Sequence, residues 1–135
     1  MRTILPAALM SSILLLDTFN AHAQKTAKLP CEKRAHTQNE MNQCAGRAYE
    51  KADAEMNRAY QQLKLALSRS GEPYNQKLTQ AQQVWLKYRE ATCECEVALN
   101  EGGTNYPMMQ NYCLASVTKE RTKRLNAMAR DIERR

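Results

Sequence analysis

Residues 37–67 read TQNEMNQCAGRAYEKADAEMNRAYQQLKLAL, and this stretch decides the fold. It opens with Thr37-Gln38-Asn39-Glu40, which fits a capping box, because the Thr hydroxyl and the Glu carboxylate can each satisfy a backbone amide of the first turn. The stretch therefore predicts a long helix that begins near Gln38 and is stopped by Gly71 and Pro73. Its small and apolar residues recur at steps of three and four and so share one face: Met41, Ala45, Ala48, Ala52, Met56, Ala59, Leu63 and Leu67.

A second stripe with the same spacing predicts a second helix over about residues 73–100. Gly102 and Gly103 end this helix, because glycine adopts backbone angles that residues with a side chain avoid. The expected apolar stripe consists of Tyr74, Leu78, Ala81, Trp85, Tyr88, Thr92, Cys95 and Leu99.

A third helix is expected after Pro107, since proline suits the first turn of a helix. Its apolar positions include Leu114, Val117, Leu125, Met128 and Ile132. The chain is rich in Ala, Gln, Lys, Glu, Arg and Leu and poor in Val, Ile and Phe, which favours helix over strand. Short connections between long helices make antiparallel neighbours, so we predict an all-α fold with a small up-down-up three-helix arrangement.

Residues 1–23 have the layout of a secretory signal peptide. A basic start at Arg2 is followed by an apolar run at 4–16 and an A-x-A site at Ala21-His22-Ala23. The apolar run is shorter than the roughly 20 residues that a membrane-spanning helix needs. We therefore expect cleavage after Ala23, a periplasmic or secreted protein that does not span the membrane, and a single helical domain over residues 24–135.

All five cysteines follow residue 23, and after export into an oxidising compartment most of them should be paired. We expect one bridge between Cys31 and Cys44 at the start of the first helix. A second bridge between Cys93 and Cys113 would clamp the Gly102-Gly103 turn, and each bridge would stabilise the fold by roughly 3 kcal/mol. Cys95 is then left over. Order along the chain also allows other pairings.

Two sets of short motifs carry a family resemblance. The first comprises Cys31, the run Thr37-Gln38-Asn39-Glu40-Met41-Asn42-Gln43-Cys44-Ala45, Tyr49, Ala52-Asp53, Glu55-Met56-Asn57 and Tyr60. The second comprises Ala81-Gln82, Trp85, Tyr88-Arg89, Cys93, Gly102-Gly103-Thr104, Cys113, Thr118, Arg121 and Leu125.

In order and spacing these motifs resemble the LprI-like (YecT-like) family of exported bacterial proteins, over nearly the whole chain after residue 23. The resemblance implies a periplasmic or secreted helical domain, and the family's namesake is described as an inhibitor of lysozyme. Two features depart from the family pattern: the cleavage point lacks the cysteine of a lipoprotein anchor, and Cys95 stands where an aromatic or aliphatic residue is usual.

The residue types that catalysis or metal binding requires do not assemble in the sequence. His36 is the single histidine after residue 23, so a catalytic triad has no base. The Cys93-Glu94-Cys95 spacing is shorter than the C-x-x-C of redox and zinc sites. We therefore expect no enzymatic activity, no cofactor and no metal, and the expected export argues against nucleic acid as a partner.

Two groups of residues are candidate sites. The turn formed by Gly102, Gly103, Thr104, Asn105 and Tyr106 is the candidate partner-binding surface, because binding residues concentrate on loops held by a rigid scaffold. The alternative is that it only caps a helix.

The second group consists of Asp53, Asn57, Arg89 and Arg121, which we expect to form a structural polar network between helices, with a ligand site as the alternative. Trp85 is expected in the core, although Trp85 and Arg89 lie one helical turn apart and would also suit a recognition patch.

The net charge of +6 bears on the partner. Lysozymes of the common animal type are basic, so a contact face would have to be locally acidic, as the clusters at Glu50, Asp53 and Glu55 and at Glu90, Glu94 and Glu96 allow. Our first hypothesis is an inhibitor that binds lysozyme or a related cell-wall hydrolase. The alternative is a periplasmic envelope-associated binding or scaffold protein without an enzyme target, whose basic helical faces contact anionic envelope polymers.

Overall fold

The capping box begins the first helix as predicted. In the computed structural model, which describes residues 30–69 and 72–134, the Thr37 hydroxyl accepts from the Glu40 amide at 3.2 Å. The Glu40 carboxylate in turn accepts from the backbone amides of Thr37 at 2.9 Å and His36 at 2.8 Å. These bonds satisfy amides that have no partner inside the helix, and α1 runs over Gln38–Ser68.

Two further helices follow α1. Helix α2 covers Glu72–Val97 and continues into a short 3₁₀ helix at Ala98–Asn100. Helix α3 covers Tyr106–Glu133, with Pro107 in its first turn as predicted. No strand occurs within residues 30–69 and 72–134, so the all-α, three-helix prediction is confirmed. In this same part of the chain, no helix is long and apolar enough to cross a membrane.

The most extensive helix interface joins α1 to α3. Alanines along the inner face of α1, among them Ala45, Ala52, Ala59 and Ala66, are buried and let the two backbones approach closely. Larger side chains fill one end of the interface, where α2 adds Leu78. The apolar cluster there consists of Met56, Ala59, Leu63, Leu78, Leu125 and Ala129.

The predicted apolar stripe of α2 is buried at Leu78 but exposed at most of its other positions. Tyr74, Ala81, Tyr88, Cys95 and Leu99 of that stripe are exposed, and Trp85 is half-buried against the apolar cluster. The residues that α2 buries lie one position further along at most turns: Asn75, Leu78, Gln82, Arg89, Cys93 and Val97. An apolar pattern could not locate this face, because polar Gln82 and Arg89 point inward and find hydrogen-bond partners there.

The cysteines follow the predicted pattern. Cys93 of α2 is bonded to Cys113 of α3, with 5.6 Å between their Cα atoms, and Cys95 keeps an exposed free thiol. Cys31 and Cys44 are each disulfide-bonded as well.

Contacts divide the chain into two units, Met1–Arg34 and Ala35–Arg135. In the first, the described residues form a short 3₁₀ helix at Cys31–Lys33. The expected signal peptide and its cleavage after Ala23 lie outside the described residues, as does Gly71.

Candidate functional site

The turn between α2 and α3 is built by three successive backbone hydrogen bonds. The amides of Glu101, Gly103 and Tyr106 donate to the carbonyls of Ala98, Asn100 and Gly103 at 3.3, 2.9 and 3.1 Å. Gly102 has a φ of 78°, which side-chain-bearing residues rarely adopt. At Gly103, a Cβ would lie 2.8 Å from Asn105 Oδ1 and 3.0 Å from the Asn100 carbonyl. The path of this turn therefore favours glycine at both positions.

Contacts from all three helices hold the turn in place. The Cys93–Cys113 bridge ties the end of α2 to the start of α3. From α1, Asn42 Nδ2 donates to the Thr104 carbonyl at 3.0 Å. Because these restraints exist before any partner binds, little conformational freedom remains to be lost on binding.

Exposure within the predicted partner-binding turn is uneven. Gly102, Gly103 and Thr104 are exposed, whereas Asn105 and Tyr106 are half-buried at the start of α3. The most exposed large apolar side chain at this end is Leu99, with a relative exposure of 102%. Sequence reasoning missed Leu99, because it extended the helical periodicity of α2 into the 3₁₀ helix, where that periodicity no longer holds.

Glutamates flank Leu99 along the chain. Glu94, Glu96 and Glu101 are all exposed, and the last turn of α2 contains no basic residue. We refer to Glu94, Glu96, Leu99 and residues 101–104 together as the acidic turn.

Arg89 lies at the centre of a polar network in the middle of the bundle. Its guanidinium pairs with Asp53 of α1 at 2.9 Å and with Glu90 at 2.7 Å, and it donates to Thr118 of α3 at 3.3 Å. Asn57 donates to the second oxygen of Asp53 at 2.9 Å. Burial alone would lower the pKa of Arg89, but hydrogen bonds to the carboxylates of Glu90 and Asp53 outweigh it and raise that pKa.

Arg121 lies beside this network and has different partners. Its Nε donates to Gln82 Oε1 at 3.0 Å. The Trp85 ring lies within cation–π distance of both guanidinium groups, with 5.3 Å from Arg89 and 5.5 Å from Arg121 to the ring centroid. The structure thus brings Asp53, Asn57 and Arg89 into one hydrogen-bonded network. Arg121 adjoins that network through the indole ring.

Within residues 30–69 and 72–134, no group of three or more His, Cys, Asp or Glu side chains is arranged to hold a metal ion.

Comparison with known proteins assigns the chain to a family. The profile of the family described as "Lysozyme inhibitor LprI" matches residues 31–125. The chain belongs to this family. It is also 32% identical to an uncharacterized protein of Rhizobium meliloti (strain 1021), over 98% of this chain and 99% of the relative. No solved structure matches it.

The part of the chain that matches the LprI family contains every candidate residue described above. All four disulfide-bonded cysteines, the acidic turn, the Arg89 network and Arg121 fall between residues 31 and 125. Sequence motifs pointed to the glycine turn and to Arg89. They did not point to Leu99, nor to Gln82 as the partner of Arg121, since these roles depend on how the helices pack.

Proposed function

We propose that this LprI-family protein inhibits lysozyme or a related cell-wall hydrolase by protein–protein binding, and that the acidic turn is its contact surface. The observation that carries the proposal is a fully exposed apolar side chain, Leu99, in the 3₁₀ helix that leads into a turn braced by a disulfide. The family's description as an inhibitor supports a binding role rather than a catalytic one.

The shape of the acidic turn suits insertion into the cleft of an enzyme. Interfaces depend on a few central side chains that fill pockets in the partner, and a leucine exposed by 102% is available for this without any rearrangement. The adjoining glycines add no side chain, so a partner surface can approach the backbone of the turn closely. Bracing of the turn reduces the entropy that binding would otherwise cost.

The charge of the acidic turn matches a basic partner. At long range the net charge of +6 repels a basic lysozyme, but charge close to the contact governs orientation and specificity. Glu94, Glu96 and Glu101 supply that local negative charge.

Glu94 and Glu96 also oppose the stability of α2. The carboxyl end of a helix carries partial negative charge, so acidic residues there are unfavourable by a few tenths of a kcal/mol each. Helix stability therefore does not account for an acidic carboxyl end, whereas recognition of a basic surface does.

We expect this activity outside the cytoplasm. Paired cysteines persist in oxidising compartments and are rare in the cytosol, and four of the five cysteines here are paired.

A lysis assay with matched leucine variants tests the proposal. Leu99 and Leu65 are both exposed leucines, and Leu65 lies on α1 with a relative exposure of 64%. We expect Leu99→Ser to weaken inhibition of lysozyme-driven cell-wall lysis by about tenfold or more, and Leu65→Ser to change it by less than about twofold.

Two negative results would have different meanings. If the oxidised wild-type protein at high micromolar concentration leaves lysozyme and other wall hydrolases active, the inhibitor function is wrong. If the wild type inhibits and Leu99→Ser inhibits equally well, the function stands but the acidic turn is not the contact surface.

A further inference from the structure

Arg121 is a half-buried cation without a carboxylate partner. Within residues 30–69 and 72–134, the structure records no ion pair for Arg121, and its single side-chain hydrogen bond is from Nε to neutral Gln82. Arg89, which also lies within cation–π distance of Trp85, pairs with both Asp53 and Glu90. The two arginines thus share Trp85 but differ in charge balance.

The surroundings of Arg121 increase its unbalanced charge. Arg124 follows one helical turn later on the same side of α3 and is exposed. Burial first, and then the charge of Arg124, lower the pKa of Arg121. A partly desolvated cation beside a second cation is costly unless an anion joins it.

The geometry of the guanidinium indicates which anion would fit. With Nε engaged by Gln82, the two terminal nitrogens keep their N–H donors for another group. These donors lie in one plane and match the two oxygens of a carboxylate or the oxygens of a phosphate.

An exposed apolar surface lies next to this cation. Trp85 contacts Arg121 and also lines a shallow surface of α2 with Ala81, Val84 and Tyr88. Val84 is 68% exposed and Tyr88 is 59% exposed, so these side chains stand outside the core. Lys77 also lines this surface and adds a further positive charge.

We propose that Arg121, Arg124 and the apolar surface around Trp85 and Tyr88 form a binding site for an acidic saccharide. The sugar carboxylate would bind the guanidinium of Arg121, with Arg124 adding attraction. The apolar face of the sugar ring would lie against the exposed ring of Tyr88. This site is separate from the acidic turn and does not depend on the inhibitor function.

The saccharide is preferred over an acidic peptide for a structural reason. Extended peptides are bound mainly by the free edge of a sheet, helical peptides by a deep apolar groove, and acidic motifs by clusters of arginines. The surface around Trp85 is shallow and lies on a helix, and it combines one half-buried arginine with the aromatic side chains of Trp85 and Tyr88, which suits a charged sugar with an apolar ring face better than an acidic motif.

Trp85 provides a direct measurement, because it is the single tryptophan of the chain. The oxidised protein is titrated at constant ionic strength with trigalacturonate, tripolyphosphate and maltotriose, and tryptophan fluorescence is followed. We expect saturable binding of trigalacturonate in the millimolar range or tighter, at least about tenfold weaker binding of tripolyphosphate, and none of maltotriose. Tripolyphosphate binding as tight as that of trigalacturonate, or an absence of trigalacturonate binding, would overturn the proposal.

Matched arginine variants locate the site. Arg121→Gln should weaken trigalacturonate binding about tenfold, and Arg124→Gln about threefold. Arg58→Gln removes the same charge from an exposed position on α1 and should change the affinity by less than about twofold. Since Arg124 is exposed, its variant tests the site even if Arg121→Gln fails to fold, as circular dichroism would reveal. Equal effects of Arg124→Gln and Arg58→Gln would show nonspecific charge attraction and refute the proposal.

Discussion

Helix α2 presents two surfaces of opposite character. At its carboxyl end, the acidic turn exposes glutamates around Leu99 and is held by the Cys93–Cys113 bridge. In its middle, Trp85 contacts the guanidinium of Arg121 on α3 and lines an exposed surface together with Tyr88. The net charge of +6 indicates neither the acidic character of the first surface nor the apolar character of the second. Partner choice therefore depends on how the fold distributes charge, and the average charge is a poor guide to it.

The two arginines beside Trp85 extend this comparison. Arg89 has its carboxylates supplied by the chain itself and links all three helices, whereas Arg121 has an uncharged amide as its hydrogen-bond partner. The two arginines lie at similar distances from one ring but differ in charge balance. The charge of Arg89 is balanced by carboxylates within the fold, and that of Arg121 is not.

The largest expected effect concerns the covalent restraint on the acidic turn. Replacing Cys93 and Cys113 together by Ala should lower the free energy of unfolding by about 3 kcal/mol, because the unfolded chain loses a constraint across 20 residues. Urea denaturation measures this change. In this variant, inhibition of lysozyme should weaken. Binding of trigalacturonate at Trp85 should persist under conditions in which the variant is folded. Loss of both activities in the folded variant would contradict the independence of the two surfaces. Cys95→Ala, at an exposed free thiol, is the control.

The next effect separates the two arginines. Asp53→Ala should destabilise the fold by about 2 kcal/mol, because it removes a partner from the buried guanidinium of Arg89. Arg121→Gln should cost about 1 kcal/mol, since it gives up one hydrogen bond to a neutral group. Chemical denaturation of both variants gives the comparison. If Arg121→Gln proved the more damaging, Arg121 would be a structural residue of the same rank as Arg89.

A smaller effect is expected from the charge of the acidic turn. Replacing Glu94 and Glu96 together by Lys should slow association with lysozyme several-fold, because local attraction guides the encounter. The matched control replaces Glu120 and Glu133, two exposed glutamates of α3, by Lys. Stopped-flow or surface-binding kinetics would measure both rates. Equal slowing by the two double variants would show that only the overall charge matters.

The smallest effect concerns the start of α1. This part of the helix carries Asn42, whose side chain bonds to the turn between α2 and α3. Amide hydrogen bonds from His36 and Thr37, and then the Thr37 hydroxyl, lower the pKa of Glu40. A carboxyl whose pKa is lower in the folded state stabilises the fold above its unfolded pKa, and this contribution is lost as the pH falls through the folded value. Glu40→Gln should therefore reduce the melting temperature slightly at pH 6 and much less at pH 2 to 3. An equal reduction at both pH values would exclude the ionised capping box as the cause.

Local signals in the sequence predicted the boundaries of the helices well. The capping box at Thr37 and Glu40, the proline at position 107 and the glycines at 102 and 103 each act within a few residues, so their effects do not require knowledge of the fold. The apolar spacing of α1 also held, because alanine and leucine have no polar group that would draw them to another face. The Cys93–Cys113 disulfide followed from the same order of helices.

The inward face of α2 was decided only by tertiary structure. Gln82 and Arg89 are polar, and their burial becomes favourable only when Met56, Asp53 and Thr118 of the other helices supply partners. That rotation of α2 leaves Tyr88 and Leu99 exposed, and with them both proposed binding surfaces. The sequence by itself determined where helices begin and end, since those signals are local. Which side chains face a partner depended on hydrogen bonds between residues that lie tens of positions apart, and only the packed helices bring these together.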